Sequence, residues 1–272
     1  KILLNNMSFL IIGSSKIVEY HIDTLISQSA QILGLASSKI KSKNSIKICR
    51  KYKIKHFEKW KQMINSETNA KAIIIATKIE FTQKILDECL KTNKKIFVEK
   101  PLSYSDKGLD KYAVYSDRIF VLYNRRFYKS VNYIKKYLKN KKELYIDVKT
   151  PEQNQAKFIK NGSHIIDLLN YVLESAISKF KILYKEINSK FIKVIFKDNK
   201  KNILSVLIYY GAAENTSVNF YLKNNLLELK PIENLNVFSG MAIQKEKNST
   251  KLKKYKPILK ININEYDNLK FK

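Results

Sequence analysis

Cysteine, proline and tryptophan are scarce in this 272-residue chain, which contains two, four and one of them respectively. Cys49 and Cys89 are far apart in the sequence and lack the paired spacing of a disulfide framework or a cysteine zinc site. The longest apolar runs, such as residues 9–12 and 73–76, are far shorter than the ~20 residues of a membrane-spanning helix. No His, Cys and carboxylate cluster has metal-ligand spacing, and neither a P-loop nor a Gly-x-Ser-x-Gly elbow occurs. We therefore expect a protein of the reducing cytoplasm without disulfides, bound metal or membrane spans.

Acidic residues are outnumbered, because 52 Lys and Arg stand against 24 Asp and Glu and give a formal net charge of +28. Only four of the basic residues are arginine, and the 48 lysines are scattered along the whole chain. Nucleic-acid-binding proteins more often concentrate basic residues in a patch and use arginine for bidentate contacts, so we expect no specific nucleic acid partner. The positive field instead favours an anionic small molecule, because it raises the local concentration of such ligands.

The hydrophobic pattern divides the chain into two halves without a Pro-, Gly- or Ser-rich linker. In the first half the pattern predicts strands at 9–12, 32–35, 72–77, 95–99 and 119–123 and helices at 17–29, 46–52 and 81–91. Apolar strands joined by helical crossovers are typical of a parallel sheet covered on both faces. In the second half a predicted amphipathic helix at 163–173 precedes period-2 runs at 180–187, 190–197, 203–210, 216–222 and 226–229, which indicate an antiparallel sheet. We predict an α/β protein with one domain over residues 1–125 and a second over 126–272.

The turn after the first predicted strand is a candidate phosphate-binding turn. The N–H groups and positive dipole end of a following helix can hold a phosphate. The residues concerned are Gly13, Ser14, Ser15, Lys16 and Ile17. Of the three small residues in G-x-G-x-x-G only Gly13 remains, since Ser15 and Val18 occupy the other two positions. A tight turn without a ligand therefore stays an alternative.

The second predicted strand ends in Ser37, Ser38 and Lys39, where NAD-specific sites have a carboxylate that binds the ribose hydroxyls. Two hydroxyls and an ammonium can instead bind a 2′-phosphate. We therefore predict NADP as the cofactor, with NAD as the second choice.

Five segments of the sequence resemble the Gfo/Idh/MocA oxidoreductases in order and approximate spacing. They are FLIIGSS at the first turn, AIIIAT on a later strand, KKIFVEKPLS, YNRRF and NGSHIIDLL. The resemblance covers nearly the whole chain, and the Glu-Lys-Pro element is its most specific part. It implies an N-terminal Rossmann dinucleotide-binding domain and a C-terminal α+β domain with an open, mostly antiparallel sheet.

The resemblance implies that Lys100 lies near the nicotinamide, with Glu99 and Pro101 shaping its approach and with Ala76 and Thr77 at the cofactor site. An ammonium beside a reacting hydroxyl or carbonyl can stabilise the oxyanion or relay its proton. The alternative is a surface lysine, one among 48.

His164 matches the catalytic acid/base histidine of the family. Asp167 shares a helix face with it at a spacing of three residues, so this carboxylate could orient the imidazole and raise its basicity. The rival interpretation is a helix-capping Ser163 next to a histidine that packs in the core. Many family members have Asp four residues before this His, where the chain has Lys160, a cation that cannot act as a base.

Arg125 and Arg126 are half of all the arginines and suit phosphate or carboxylate recognition, although a salt bridge at the domain interface is the alternative. The predicted substrate-binding set is Lys100, Arg125, Arg126, Lys160 and His164. We assign His21 and Trp60 to packing.

The resemblance implies an NAD(P)-dependent oxidoreductase that transfers a hydride between nicotinamide and a hydroxyl or carbonyl carbon of a sugar or nucleotide-sugar, as in surface polysaccharide synthesis. Two alternatives stay open: a C=N reductase of the same fold, and a non-catalytic relative that serves as a binding or scaffold module. We expect a homo-oligomer formed through the C-terminal sheet. Relatives continue into a further helix about where this chain ends, at residues 268–272.

Overall fold

The computed structural model describes residues 7–244 and 254–267, so the expectation about residues 268–272 lies outside the described part. The chain divides into two compact units, with the division between Tyr123 and Asn124, two residues before the predicted one.

The first unit alternates strands and helices, as the apolar runs predict. Its strands are β1 (Ser8–Gly13), β2 (Gln31–Ala36), β3 (His56–Phe57), β4 (Ala72–Ala76), β5 (Lys95–Val98) and β6 (Ile119–Val121). Its α-helices are α1 (Lys16–Ser27), α2 (Lys43–Tyr52), α3 (Trp60–Ser66) and α4 (Ile79–Cys89), and a 3-10 helix follows at Asp110–Tyr115.

All six strands of this unit are parallel and follow the order β3-β2-β1-β4-β5-β6. The chain moves outward from β1 to β3 and then returns to the other side of β1 with β4. This reversal creates a crevice at the carboxyl ends of β1 and β4, which is where doubly wound sheets bind ligands.

Both faces of the parallel sheet are buried. Leu10 and Ile12 of β1 pack into the core on one face, whereas Phe9 and Ile11 pack into the core on the other. All six residues of β1 are buried, which explains why its sequence is continuously apolar instead of alternating.

The described part of the second unit contains one eight-stranded sheet and two α-helices. The helices are α5 (Lys129–Leu138) and α6 (Gln155–Leu173). The strands are β7 (Tyr145–Glu152), β8 (Lys181–Ile187), β9 (Phe191–Lys197), β10 (Ile203–Tyr210), β11 (Ser217–Leu222), β12 (Asn225–Leu229), β13 (Asn234–Gln244) and β14 (Lys254–Asn264). Their order is β14-β13-β12-β11-β7-β10-β9-β8, and within the described residues only β7 and β10 pair in parallel.

One face of this sheet is covered by the two helices. Val131 and Ile134 of α5 and Leu168 of α6 share a core with alternate residues of the central strands, such as Ile146 and Val148. The predicted fold class is confirmed: a Rossmann-like parallel sheet precedes an α+β unit with a mostly antiparallel sheet.

The structure corrects several predicted elements. Helix α6 begins at Gln155, eight residues before the predicted start, and β3, α3, α5, β7, β13 and β14 were not predicted. Among the described helices, none combines the length and apolar character that crossing a bilayer requires.

Candidate functional site

The turn after β1 is shaped by a glycine that no other residue can replace without strain. Gly13 has φ +152°, and a Cβ atom built on it would lie 2.2 Å from the carbonyl oxygen of Ala76. Gly13 and Ala76 are also directly paired at the ends of β1 and β4. The absence of a side chain therefore lets the two strand ends meet at the crevice.

The residues after Gly13 present backbone donors to solvent. Helix α1 has Ser15 as its N-cap, and Ser15, Lys16 and Ile17 are exposed. The first N–H groups of a helix have no acceptor within the helix, so they are available to an anion. Val18, which occupies the third position of the glycine motif, is fully buried and packs in the core.

Serine hydroxyls connect this turn to the end of β2. The Oγ atoms of Ser14 and Ser37 are 3.2 Å apart, and Ser42 Oγ donates to Ser14 Oγ at 3.3 Å. Ser37 Oγ also accepts from the backbone N–H of Lys39 at 3.3 Å. The hydroxyl of Ser37, predicted to bind a 2′-phosphate, is thus buried and engaged within the protein, whereas Ser38 is half-buried and Lys39 is exposed.

A cleft of about 360 Å³ opens beside Ser37 and Ser38. Its walls include the rings of Trp60 and Phe81. Trp60 also packs against the core, as predicted, but its place in this cleft was not foreseen. The other lining residues are Ile40, Glu58, Lys59, Lys61, Lys84 and Ile85.

The Glu-Lys-Pro segment begins directly after β5. The backbone N–H of Glu99 donates to Ile75 O at 2.9 Å, and the peptide bond between Lys100 and Pro101 is cis. The Glu99 carboxylate lies 2.8 Å from Nε2 of His21 on α1, a contact that the sequence did not predict. Lys100 therefore lies at the carboxyl edge of the sheet, the same edge as the Gly13 turn.

Thr77, which follows β4, lies near the start of α4. Its Oγ1 atom is 3.3 Å from Oγ1 of Thr82, and Thr82 in turn donates to Lys78 O at 3.2 Å. Thr82 is buried, and its hydroxyl supports the loop after β4.

In the second unit, His164 lies in the middle of α6 and not at its start. Asn154 caps this helix, because its side-chain oxygen accepts from the backbone N–H of Lys157 at 3.0 Å. Ser163 is not a cap, since it lies within the helix and donates to Lys160 O at 3.2 Å. His164 is half-buried with its Nδ1 atom enclosed by protein, and Lys160, one turn earlier, is exposed.

Asp167 forms an ion pair with an arginine of the same unit. Its Oδ2 accepts from Nε of Arg126 at 2.8 Å and its Oδ1 accepts from Nη2 of the same guanidinium. The side chain of Asp167 is 6% exposed and that of Arg126 is 45% exposed. The carboxylate predicted to orient His164 therefore holds Arg126, and the arginine predicted to bind substrate donates to the chain itself.

Arg125 also pairs with a carboxylate of the chain, since its Nη2 donates to Oε1 of Glu233 at 3.3 Å. The negative charge of Glu233 raises the pKa of the nearby Tyr266 hydroxyl. Both arginines thus form salt bridges within the second unit.

Arg125, Glu233 and Tyr266 line a polar cleft of about 260 Å³ within the second unit. Side-chain hydroxyls and amides dominate the rest of its wall, and Thr150 Oγ1 lies 3.2 Å from Thr216 Oγ1 there. Asn161, three residues before His164 on α6, belongs to the same wall. The cleft therefore combines hydrogen-bonding groups with charges of both signs.

Comparison of the sequence with known proteins finds one family model that matches part of the chain. Residues 7–115 match the model of the Gfo/Idh/MocA family, described as an oxidoreductase family with an NAD-binding Rossmann fold. No curated protein matches the sequence significantly.

Solved structures show the same fold over most of the chain. A dehydrogenase (MviM) from Clostridium difficile has 18% identity and a TM-score of 0.70, over 93% of this chain and 83% of its own. The myo-inositol dehydrogenase of Lactobacillus casei, solved with NAD(H) and myo-inositol, has 16% identity and a TM-score of 0.69, over 91% and 78%. The UDP-N-acetylglucosamine 3-dehydrogenase GnnA of Acidithiobacillus ferrooxidans has 9% identity and a TM-score of 0.68, over 94% and 84%. The match over residues 7–115 agrees with the sequence resemblance to the Gfo/Idh/MocA oxidoreductases, and the solved structures show that the shared fold extends over most of the chain.

Proposed function

We propose that this protein is an NADP-dependent oxidoreductase acting on a hydroxyl or carbonyl carbon of a sugar or nucleotide-sugar. The observation that carries the proposal is the continuity between the Gly13 turn and the neighbouring cleft. Gly13 leaves the crevice at β1 and β4 open, and Ser14 of the same turn contacts Ser37 at the mouth of the cleft lined by Trp60.

The residues of the first unit fit a dinucleotide. The exposed start of α1 after Ser15 offers N–H groups to a pyrophosphate. The Trp60 and Phe81 rings offer apolar surface to a planar base in the adjoining cleft. We assign the cofactor contacts to these groups together with Ser38, Ala76 and Thr77.

Charge around the cleft favours NADP over NAD. Lys59, Lys61 and Lys84 contribute to its wall, and Glu58 is the one carboxylate among its lining residues. Ser38 and the exposed Lys39 lie next to it, where an NAD-specific site would have an acidic residue. A 2′-phosphate would be attracted by this excess of positive charge.

When bound, nicotinamide accepts or delivers the hydride. We assign to Lys100 Nζ the stabilisation of the substrate oxyanion and to the His164 imidazole the exchange of the hydroxyl proton. Asp167 holds the Arg126 guanidinium against α6, three residues after His164, in a pair whose two charges cancel. Lys160 is a cation on this helix, one turn before His164.

The polar cleft of the second unit supports a hydroxyl-rich substrate. Thr150, Asn161, Thr216 and Tyr266 can donate to and accept from sugar hydroxyls, and Glu152 can accept from two neighbouring ones. We propose that a sugar ring binds here and that the net charge of +28 attracts the phosphates of a nucleotide-linked substrate.

We further propose that the protein forms a homo-oligomer through the sheet face opposite α5 and α6. Tyr145 and Tyr221 are paired on the adjacent strands β7 and β11 of this face and are 46% and 40% exposed. Tyr209, 43% exposed, lies on the same face of β10 at the other end of β7. Exposed aromatic side chains on one sheet face are typical of a protein contact. Light scattering should give a dimer or larger species, and Tyr221→Lys should shift it toward monomer; a monomeric wild type would refute this assignment.

Turnover measurements test the proposed reaction. UDP-N-acetylglucosamine and myo-inositol, offered with NADP and with NAD, should include a pair that produces reduced nicotinamide. Lys100→Ala and His164→Ala should each reduce kcat by about 100-fold or more, since positioned acid-base groups contribute 10²–10⁴-fold. Reduced nicotinamide produced equally fast by Lys100→Ala would remove the role assigned to this lysine.

The cofactor preference has a separate test. Ser38→Asp should weaken NADP binding and favour NAD, because it places a carboxylate next to the 2′ position. Ser189→Asp, which makes the same charge change at an exposed turn of the second unit, should leave the preference unchanged. An NAD preference in the wild type would contradict the assignment to NADP.

A further inference from the structure

A side-chain hydrogen bond joins α1 to the end of β5. His21 Nε2 lies 2.8 Å from Glu99 Oε1, and each side chain is 20% exposed. The two residues are 78 positions apart in the sequence. The contact is thus a tertiary one, shielded from most of the solvent.

This hydrogen bond spans the strand on which the crevice depends. Strand β4 lies between β1 and β5 in the sheet, so His21 reaches from the helix after β1 to the residue after β5. The backbone N–H of Glu99 is bound to Ile75 O of β4 at 2.9 Å. Glu99 is therefore held at two points, by β4 through its backbone and by α1 through its side chain.

Lys100 follows Glu99 directly, so its direction depends on how Glu99 is held. Residues 99 and 100 follow β5 directly and form the start of a bend. Because the backbone and the side chain of Glu99 are both held, the point and the direction in which the backbone enters Lys100 are restricted. If the imidazole is removed, the carboxylate gains freedom and can compete for ammonium groups in this lysine-rich chain.

We propose that His21 is a positioning residue, which holds the Glu99 carboxylate against α1 and thereby sets the direction of Lys100. This inference rests on the role proposed for Lys100 in the reaction. His21 has no contact with substrate in this scheme and acts only through Glu99.

Three variants of α1 test the proposal. His21→Ala removes the hydrogen bond, and His21→Gln keeps a side-chain N–H that can donate to Glu99. Glu19→Gln is the matched control, because Glu19 is also on α1 and forms a hydrogen bond to another helix, with Lys51 Nζ 2.5 Å from its Oε2. None of the three substitutions touches the Gly13 turn.

Hydrogen exchange of the protein without cofactor measures the positioning directly. Amides at 99, 100 and 102 should exchange about tenfold faster in His21→Ala, as expected for the loss of one hydrogen bond, while those of β2 keep the wild-type rate. His21→Gln should restore most of the protection, and Glu19→Gln should match the wild type. Unchanged exchange at these amides in His21→Ala would overturn the inference.

Kinetics add a readout that a purely structural contact would not move. In His21→Ala, kcat for the active sugar substrate should fall about tenfold, whereas NADPH affinity should stay within twofold of wild type. An equal loss in Glu19→Gln, or a kcat for His21→Ala equal to wild type, would refute the positioning role. If the wild type shows no turnover, the proposed function fails, and the exchange data still decide whether His21 holds this segment.

Discussion

The close approach of Gly13 to Ala76 makes a strong prediction about stability. In Gly13→Ala the new Cβ atom would lie 2.2 Å from the carbonyl oxygen of Ala76 and 2.9 Å from its carbonyl carbon. Both atoms belong to the backbone of a central strand, so a side-chain rotation cannot relieve the clash. The chain would have to separate β1 from β4 at the crevice.

The stability lost in Gly13→Ala has two contributions, backbone strain and overpacking. An alanine held at the φ of +152° costs about 1–3 kcal/mol of backbone strain. Overpacking against fixed neighbours costs typically about 1–3 kcal/mol. We therefore expect Gly13→Ala to lower the free energy of unfolding by about 2–6 kcal/mol, a large part of the stability of an ordinary domain.

A second glycine of the same unit separates the two contributions. Gly108 has φ +74°, but a Cβ atom there would meet nothing within 4 Å. Gly108→Ala should therefore lose only the dihedral part, about 1–2 kcal/mol. Urea unfolding followed by far-ultraviolet circular dichroism gives both values.

The difference in stability between the two variants measures the cost of the clash with Ala76. Gly13→Ala should be the less stable by about 1–3 kcal/mol and should also lose NADPH binding. If Gly13→Ala unfolds at the same urea concentration as Gly108→Ala, the strand ends at the crevice are not held as tightly as described.

Three further predictions concern the helix start, a buried ion pair and the cysteines. Asn154→Ala should destabilise the second unit by about 1 kcal/mol, because it removes the cap of α6. Ser163→Ala should change the midpoint of urea unfolding little. A larger loss of stability in Ser163→Ala than in Asn154→Ala would support the helix start predicted from the sequence. Asp167→Ala should cost about 1–3 kcal/mol, reduced by the exposure of its arginine partner; a melting temperature equal to wild type would contradict a structural ion pair here. Burial raises the pKa of the Cys49 thiol to about 11 and that of the Cys89 thiol to about 12. Neither thiol should therefore react with a thiol reagent at neutral pH until the protein is unfolded. Rapid labelling of the native protein would refute their burial.

The parallel sheet could be predicted because its strands are buried on both faces. Such strands are continuous apolar runs, as in Ala72–Ala76, and they stand out from the polar segments between them. The shorter elements gave no comparable signal: β3 has only two residues, and α3 has seven with two of them buried. Strand β13 is interrupted by register shifts near Gly240, where φ is +72°, so its period of two is lost.

The start of α6 was misplaced because the apolar period is clearest in its second half. Buried residues such as Leu168 and Leu169 lie there, whereas in the first two turns Phe158 and Ile159 are only half-buried and stand between polar residues. The cap at Asn154 provides the true signal, since its side chain accepts from the N–H three residues later. Asn-x-x-Lys alone is too common a pattern to mark a helix start.

Among the basic residues, the arginines best indicate where the fold needs a side chain with several hydrogen-bond donors, but the sequence does not reveal their partners. Arg118 donates to the carbonyl oxygens of Leu90 and Thr92 after α4, Arg126 holds Asp167, and Arg125 donates to Glu233. A planar fork with several donors suits such sites and a lysine does not. Sequence analysis identified the pair at 125 and 126 as special, but the partners become visible only when the fold brings the carboxylates to them.

The contact between His21 and Glu99 also could not be predicted from the sequence, because only the fold brings the two residues together. Nothing in the local pattern around either residue specifies the other, because β4 and the whole of β2 and β3 intervene in the chain. The sequence identified the lysine next to Glu99 as a functional candidate. The structure adds the side chain that holds this segment in place.

The most direct test of the account is a titration of the protein with NADPH, followed by energy transfer from its single tryptophan. Trp60 lines the cleft assigned to the cofactor, so its emission should decrease and nicotinamide fluorescence should appear, saturably and at lower concentration than with NADH. Trp60→Phe should abolish the transfer while calorimetry still detects binding. Absence of any saturable binding of either dinucleotide, by fluorescence and by calorimetry, would contradict the assignment of this fold to an active oxidoreductase.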